Sequence, residues 1–234
     1  MELFTLEGFL FIMRWFHFLA GITWVGVLYY FNFIQTPFFA TADPAVRSGM
    51  IRGLVPNALW WFRWGAMFTF LTGWIMVLTK LHLSGISGQE HYLTLILTGG
   101  AMGTLMWANV WFVIWPAQQT VIASANQVAS GGEAIPEAAA RGQRAGLASR
   151  TNTLFSLPML FFMGSASHFQ GLTSAQPNFG GYWLVALVVI ALVEINALIG
   201  PGLSTQKPLA SVSGTIHASL AVTLILFLAA SIIL

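Results

Sequence analysis

Apolar residues recur in runs long enough to cross a bilayer, and most charged residues fall between those runs. About 20 apolar residues carry a helix across the hydrocarbon layer. This criterion places spans at about 7–34, 59–81, 93–115, 153–170, 180–200 and 213–233. The pattern predicts an all-α protein, a polytopic transmembrane bundle of about six spans that forms a single integral membrane domain over 1–234. The first run is longer than a bilayer needs and should tilt or project. The fourth is short and contains Pro158. Between the third and fourth, about 116–152 reads as an Ala/Gly/Gln-rich loop with Gly131, Gly132 and Pro136, either a plain linker or a short surface helix in its second half. Gly99 and Gly103 form a GxxxG pair in the third run, which permits close helix approach.

Composition sharpens this reading. The chain is 57% hydrophobic and only 7% charged, against roughly a quarter charged in a soluble domain. It has no cysteine, which excludes disulfides, thiolate-held iron–sulfur clusters and a covalent c-type haem on these residues. The net charge of +2 is too small to suggest nucleic-acid binding. The basic residues instead set an orientation. Arg47, Arg52, Arg63, Arg141, Arg144, Arg150 and Lys207 fall toward one side, while Lys80 and Arg14 fall toward the other. Both termini are therefore expected on the periplasmic side of a bacterial inner membrane, with the loop at 116–152 in the cytoplasm. The opening residues lack a basic n-region and a small-residue cleavage site, so the first run reads as a retained span.

Polar side chains inside the spans are costly and therefore informative. Met13 and His17, four apart, share a helix face. His168 ends the fourth run, and His82 and His91 flank the connection between the second and third. These four histidines approach the outer face, whereas His217 begins the last span at the inner face. A neutral imidazole between helices suits an axial haem ligand. The candidate cofactor set is His17, His168, His91, Arg14 and Met13, with Arg14 facing a propionate and Ala20, Gly21, Gly164 and Ala166 making room. His17 and His168 are the candidate metal ligands, and Met13, His17 and Met163 give an alternative copper reading. Against these stands the plainer role of a histidine that bonds one helix to another. A second polar set, Arg63, Asn109, Glu194, Asn196 and His217, lies toward the inner side. Glu194 interrupts an apolar stretch and should face protein or be protonated, either as a proton or quinone contact or as half of a buried ion pair. The 10 Trp and 19 Phe fit interfacial belts and lipid-facing bulk.

Four segments carry a resemblance: RWFHFLAGITWVGVLYYFNF (14–33), WFRWGAMFTFLTGW (61–74), GAMGTLMWANVWFVIWPAQQ (100–119) and RTNTLFSLPMLFFMGSASHF (150–169). In order and spacing they resemble the membrane domain of the bacterial membrane-bound urate hydroxylase family, the urate oxidase N-terminal domain. The resemblance covers most of residues 14–170 and is weak beyond about 175. It implies a multi-span membrane domain which, in full-length relatives, precedes a cytochrome c domain that receives electrons. This sequence stops at Leu234 without a CxxCH motif. Relatives often carry a further histidine just before the stretch matching 152–158, where this chain has RTNTLF with Asn152 and no histidine.

The leading expectation is a redox-associated membrane protein. It would bind b-type haem through His17 with His168 or His91 and pass electrons to a separate cytochrome c or a quinone. The alternative is a non-catalytic accessory subunit of a larger respiratory or photosynthetic complex, in contact with lipids and other membrane subunits. A transporter or copper-handling role is the weakest reading.

Overall fold

The computed structural model describes residues 4–85, 88, 90–169, 172, 174 and 176–234. Among them every regular element is helical. In chain order these are α1 (Leu6–Tyr29), a π-helical segment (Tyr30–Gln35), α2 (Thr36–Thr41), α3 (Pro44–Ser84) and α4 (Glu90–Ala108). A second π segment (Asn109–Ile114), α5 (Trp115–Ala129), α6 (Ala138–His168), α7 (Phe179–Leu198), a 3₁₀ segment (Ser204–Ala210) and α8 (Val212–Ile233) follow.

Local chemistry sets several boundaries. The Thr5 hydroxyl accepts from Gly8 N at 3.2 Å, Asn178 Oδ1 from Gly181 N at 2.9 Å and Ser211 Oγ from Gly214 N at 3.0 Å. Each cap satisfies a backbone donor that has no partner inside its helix. Pro37 and Pro116 are the second residues of α2 and α5, and both helices directly follow a π segment. A proline ring clashes with the carbonyl four residues earlier and offers no N–H to it. A wider turn just before the proline relieves that clash and keeps the helix running. Pro158, inside α6, removes the normal partner of the Leu154 carbonyl, and Ser219 Oγ of α8 donates to that carbonyl instead at 2.5 Å.

Among the described residues, five stretches are long and apolar enough to cross a membrane: Leu6–Thr41, Pro44–Leu83, Glu90–Ala129, Phe179–Leu198 and Val212–Ile233. The expected span at 153–170 lies on α6, which falls outside this set, and its last residue is outside the described ones. Its apolar run is diluted by Thr151, Asn152, Thr153 and Ser156, all buried. The first three stretches run 36, 40 and 40 residues, about twice what the hydrocarbon requires. Segments read from sequence as loops are therefore helix. Arg47 and Arg52 lie on α3, and the expected loop at 116–152 is α5 and α6 with only residues 130–137 between them.

The chain divides into two compact units, Met1–Thr72 with Trp107–Arg150, and Gly73–Met106 with Thr151–Leu234. In the first, α1 and α3 pack backbone to backbone. A Cβ on Gly65 would lie 3.1 Å from Trp24 N and 3.3 Å from the Ala20 carbonyl, so any larger residue would push the two backbones apart by a few tenths of an ångström. Trp24, Leu28 and Phe62 are fully buried there. In the second, Gly99 on α4 meets α6 in the same way, with Met159 O at 3.0 Å and Met163 N at 3.2 Å from its missing Cβ. The turn from α7 into α8 is organised by one buried side chain. Gln206 accepts from Gly202 N and Leu203 N and donates to the carbonyls of Asn196 and Gly200.

Candidate functional site

His17 is the best-positioned titratable group inside a span. It sits half-buried on α1, and its Nδ1 lies 3.1 Å from Thr72 Oγ1 on α3. The Thr72 hydroxyl has one proton, and it donates to the Phe68 carbonyl at 2.6 Å, with the Thr69 carbonyl at 3.2 Å. Thr72 therefore accepts from the imidazole, and Nδ1 carries the hydrogen. This fixes the tautomer in which Nε2 keeps its lone pair. A histidine that ligates iron or another metal has its remaining ring N–H engaged in this way.

The other members of the expected set are distributed as follows. Met13 is half-buried and Arg14 exposed on α1. His168 is exposed as the last residue of α6, and His82 is exposed in the last turn of α3. His91 is half-buried near the start of α4, and its Nε2 is buried with no hydrogen-bond partner among the described residues. Met13, Arg14 and His17 belong to the first unit, and His91 and His168 to the second. The small residues expected to make room for a macrocycle are partly used otherwise. Ala20 presents its carbonyl to Gly65, and a Cβ on Gly21 would touch Thr69 at 3.8 Å. Gly164 does face open space. Met163, the third member of the copper reading, packs its side chain against Gly99 and Gly103. Among the described residues no group of three or more His, Cys, Asp or Glu is placed to hold a metal ion.

The inner polar set also divides between the units. Arg63 and Asn109 belong to the first, Glu194, Asn196 and His217 to the second. Arg63 stacks on Trp115, its guanidinium carbon 3.5 Å from the ring centroid, with Trp111 at 5.5 Å, and its Nε donates to Leu59 O at 3.4 Å. Asn109 is buried in the second π segment. Glu194 is buried on α7 and so faces protein, as its apolar setting requires. His217 is exposed on α8. Asn196 accepts from Thr205 Oγ1 at 2.5 Å and works in the turn held by Gln206.

The sequence reading missed a polar layer along α6. Asn32, buried in the first π segment, donates to Ser149 Oγ at 2.8 Å and to Leu28 O at 2.9 Å. Asn152 donates to Met106 O at 2.9 Å. Thus α6 supplies a partner near each π segment, where the change in hydrogen-bond spacing disturbs the carbonyl ladder. Arg150, read from sequence as a loop charge, is buried, and its Nη1 has no hydrogen-bond partner among the described residues. Burial lowers its pKa from the ordinary value, but a guanidinium stays charged. The cluster RTNT was visible as a polar run; its burial was not, because hydropathy does not distinguish a polar loop from the polar face of a packed helix.

In the second unit, Tyr182 is fully buried on α7, with its hydroxyl 3.1 Å from Thr98 Oγ1 on α4. Thr98 donates its own proton to Thr94 O at 2.7 Å, so the tyrosine is the donor. A shallow cavity of about 310 Å³ opens nearby, lined by Leu81, Glu90, Leu93, Leu97, Phe179 and Trp183 among others.

Comparison with known proteins gives one family. The family model described as urate oxidase N-terminal matches residues 86–228, more than half of the chain. The match begins after the first two segments that carried the resemblance and continues well past residue 175, where the resemblance was expected to fade. No curated protein and no solved structure matches this chain.

Proposed function

Because this chain belongs to the urate oxidase N-terminal family, we propose that it is a redox-associated, multi-pass membrane protein in which His17 would hold a b-type haem. Electrons would pass to a separate cytochrome c or to a quinone. The observation that carries this reading is the Thr72 hydroxyl at 3.1 Å from His17 Nδ1, with its own proton committed to Phe68 O. That arrangement leaves Nε2 with its lone pair, as a ligand to iron would need.

The chemistry of the site fits the group on the donor side. A neutral imidazole oriented through its second nitrogen is the usual proximal ligand. Bound haem supplies one-electron exchange at iron. The chain's own residues hold the imidazole in one tautomer, through Thr72. The proposed setting is the bacterial inner membrane, with α6 supplying a sixth span around 153–170 and both termini on the periplasmic side. The helical arms around residues 36–58 and 115–150 would then stand in the cytoplasm, where most of the arginines lie.

The test is a reduced-minus-oxidised spectrum with a pyridine haemochrome assay on protein purified in mild detergent. A near-stoichiometric b-type signal lost in His17→Ala is the expected result. His91→Ala and His168→Ala, the other ligands expected from sequence, are run in parallel. A folded, colourless wild-type protein would refute the haem reading and leave the accessory-subunit role as the better account.

A further inference from the structure

We infer that Arg63, Trp111 and Trp115 form a binding site for the phosphate of an anionic phospholipid. This inference depends on the chain spanning a membrane and not on haem.

Arg63 is half-buried at the centre of an aromatic group. One face of its guanidinium is covered by Trp115 at 3.5 Å, and Trp111 stands 5.5 Å away. Its Nε makes the single long hydrogen bond to Leu59 O at 3.4 Å. No hydrogen bond of the two Nη groups to a described residue is present, and neither is an acidic partner. Stacking on indole stabilises the cation without using any N–H donor. It also restricts the guanidinium plane, so the outer edge is a pre-oriented fork. Such a fork matches two oxygens of a phosphate diester.

The surroundings favour a lipid over a free anion. Trp60, Trp61, Trp64 and Phe68 are exposed beside Arg63 on α3, at 48%, 58%, 37% and 54% of their full area. They form a connected aromatic face: Trp60 contacts Trp61 and Trp64, and Trp64 contacts Phe68 and Trp111. A free phosphate has no use for that face, whereas acyl chains and the glycerol region would cover it. Depth agrees as well. Arg63 is four residues inside the apolar run beginning near Leu59, about 6 Å along the axis, and Trp115 ends the third apolar run. Both positions correspond to the headgroup boundary, where tryptophan concentrates. Arg47, Arg52, Arg141 and Arg144 lie on the helical arms of the same unit, and basic residues near the inner leaflet raise the local concentration of anionic lipid.

The experiment is native mass spectrometry of the full chain. The protein is taken from nanodiscs containing equal amounts of dioleoylphosphatidylglycerol and dioleoylphosphatidylethanolamine. Wild-type protein is expected to retain the glycerol lipid in preference, with retention falling about tenfold or more in Arg63→Gln, the loss of a charge-assisted pair. Arg63→Lys should fall between the two, because it keeps the charge without the planar fork. Trp115→Leu should also weaken retention, and it tests the stack if Arg63→Gln does not fold. Adding inorganic phosphate should not displace the lipid; displacement would mean that the site recognises the free anion. Equal retention of the two lipids, or undiminished preference in folded Arg63→Gln, would overturn the inference. So would a wild-type protein that covers this face by self-association and retains no lipid.

Discussion

Replacing Gly99 by alanine tests the tightest helix approach in the second unit. The added Cβ would lie 2.7 Å from Met163 Cγ, 3.0 Å from Met159 O and 3.2 Å from Met163 N. Carbon atoms rest at about 3.5–4.0 Å. Two of the three neighbours are backbone, so α4 and α6 must part by several tenths of an ångström. Overpacking of this kind costs about 1–3 kcal/mol, while exchanging glycine for alanine inside a helix returns up to about 1 kcal/mol. The expected net loss is about 1–2 kcal/mol, or about 2–8 °C in Tm for a chain of this size. Two neighbouring glycines calibrate the measurement. Gly100 has nothing within 4 Å of an added Cβ, so Gly100→Ala should be neutral or stabilising. At Gly103 the nearest atoms are Met159 Sδ at 3.4 Å and Met163 Cε at 3.6 Å, mobile ends that can yield. The three variants would be compared by tryptophan-fluorescence thermal scans in one detergent. A Gly99→Ala protein as stable as Gly100→Ala would refute the close approach between α4 and α6.

Gln206→Leu should be the most destabilising single change in the turn between α7 and α8, costing about 2–4 kcal/mol, because four backbone groups lose their partner at once. Chemical denaturation in detergent measures it, and a loss below about 0.5 kcal/mol would contradict the assigned network. Thr72→Val keeps the shape at His17 but removes the acceptor for Nδ1–H. If His17 ligates haem, occupancy should fall about tenfold or more and the reduced band should shift, read from the spectrum of the purified variant.

The positions of the membrane helices were legible because long apolar runs have few other uses. The runs at 180–200 and 213–233 became α7 and α8 almost unchanged. The lengths of the first helices were not legible. Residues 44–58 include Pro44, Pro56, Arg47 and Arg52, which read as a loop, but α3 begins at Pro44, where a missing N–H costs nothing. Pro158 sits inside the fourth run, and the donor that compensates for it, Ser219, lies 61 positions away in sequence. His17 could be singled out as a polar residue in an apolar run, but Thr72 could not be paired with it before the helices were assembled. Asn32, Asn152 and Gln206 were missed for the same reason: each acts through a partner that no local pattern reveals. The polar set at the inner side was found residue by residue, yet Arg63 proved to be an aromatic-stacked cation and not simply a topology marker.

The π segments bear on how this chain can be aligned with its relatives. A wide turn holds one more residue than an α-helical turn covering the same stretch, so each segment behaves as an insertion absorbed in place. Deleting one residue within 30–35 or 109–114 would restore ordinary helix there and leave everything downstream facing as it does now, whereas the same deletion in a plain α-helical stretch would swing it by about 100°. A relative shorter by one residue at either point would therefore keep the same packing faces. It would present the same sides of α2 and α5 to their neighbours, and a gap at these two places is a weaker marker of divergence than a one-residue gap elsewhere in a helix.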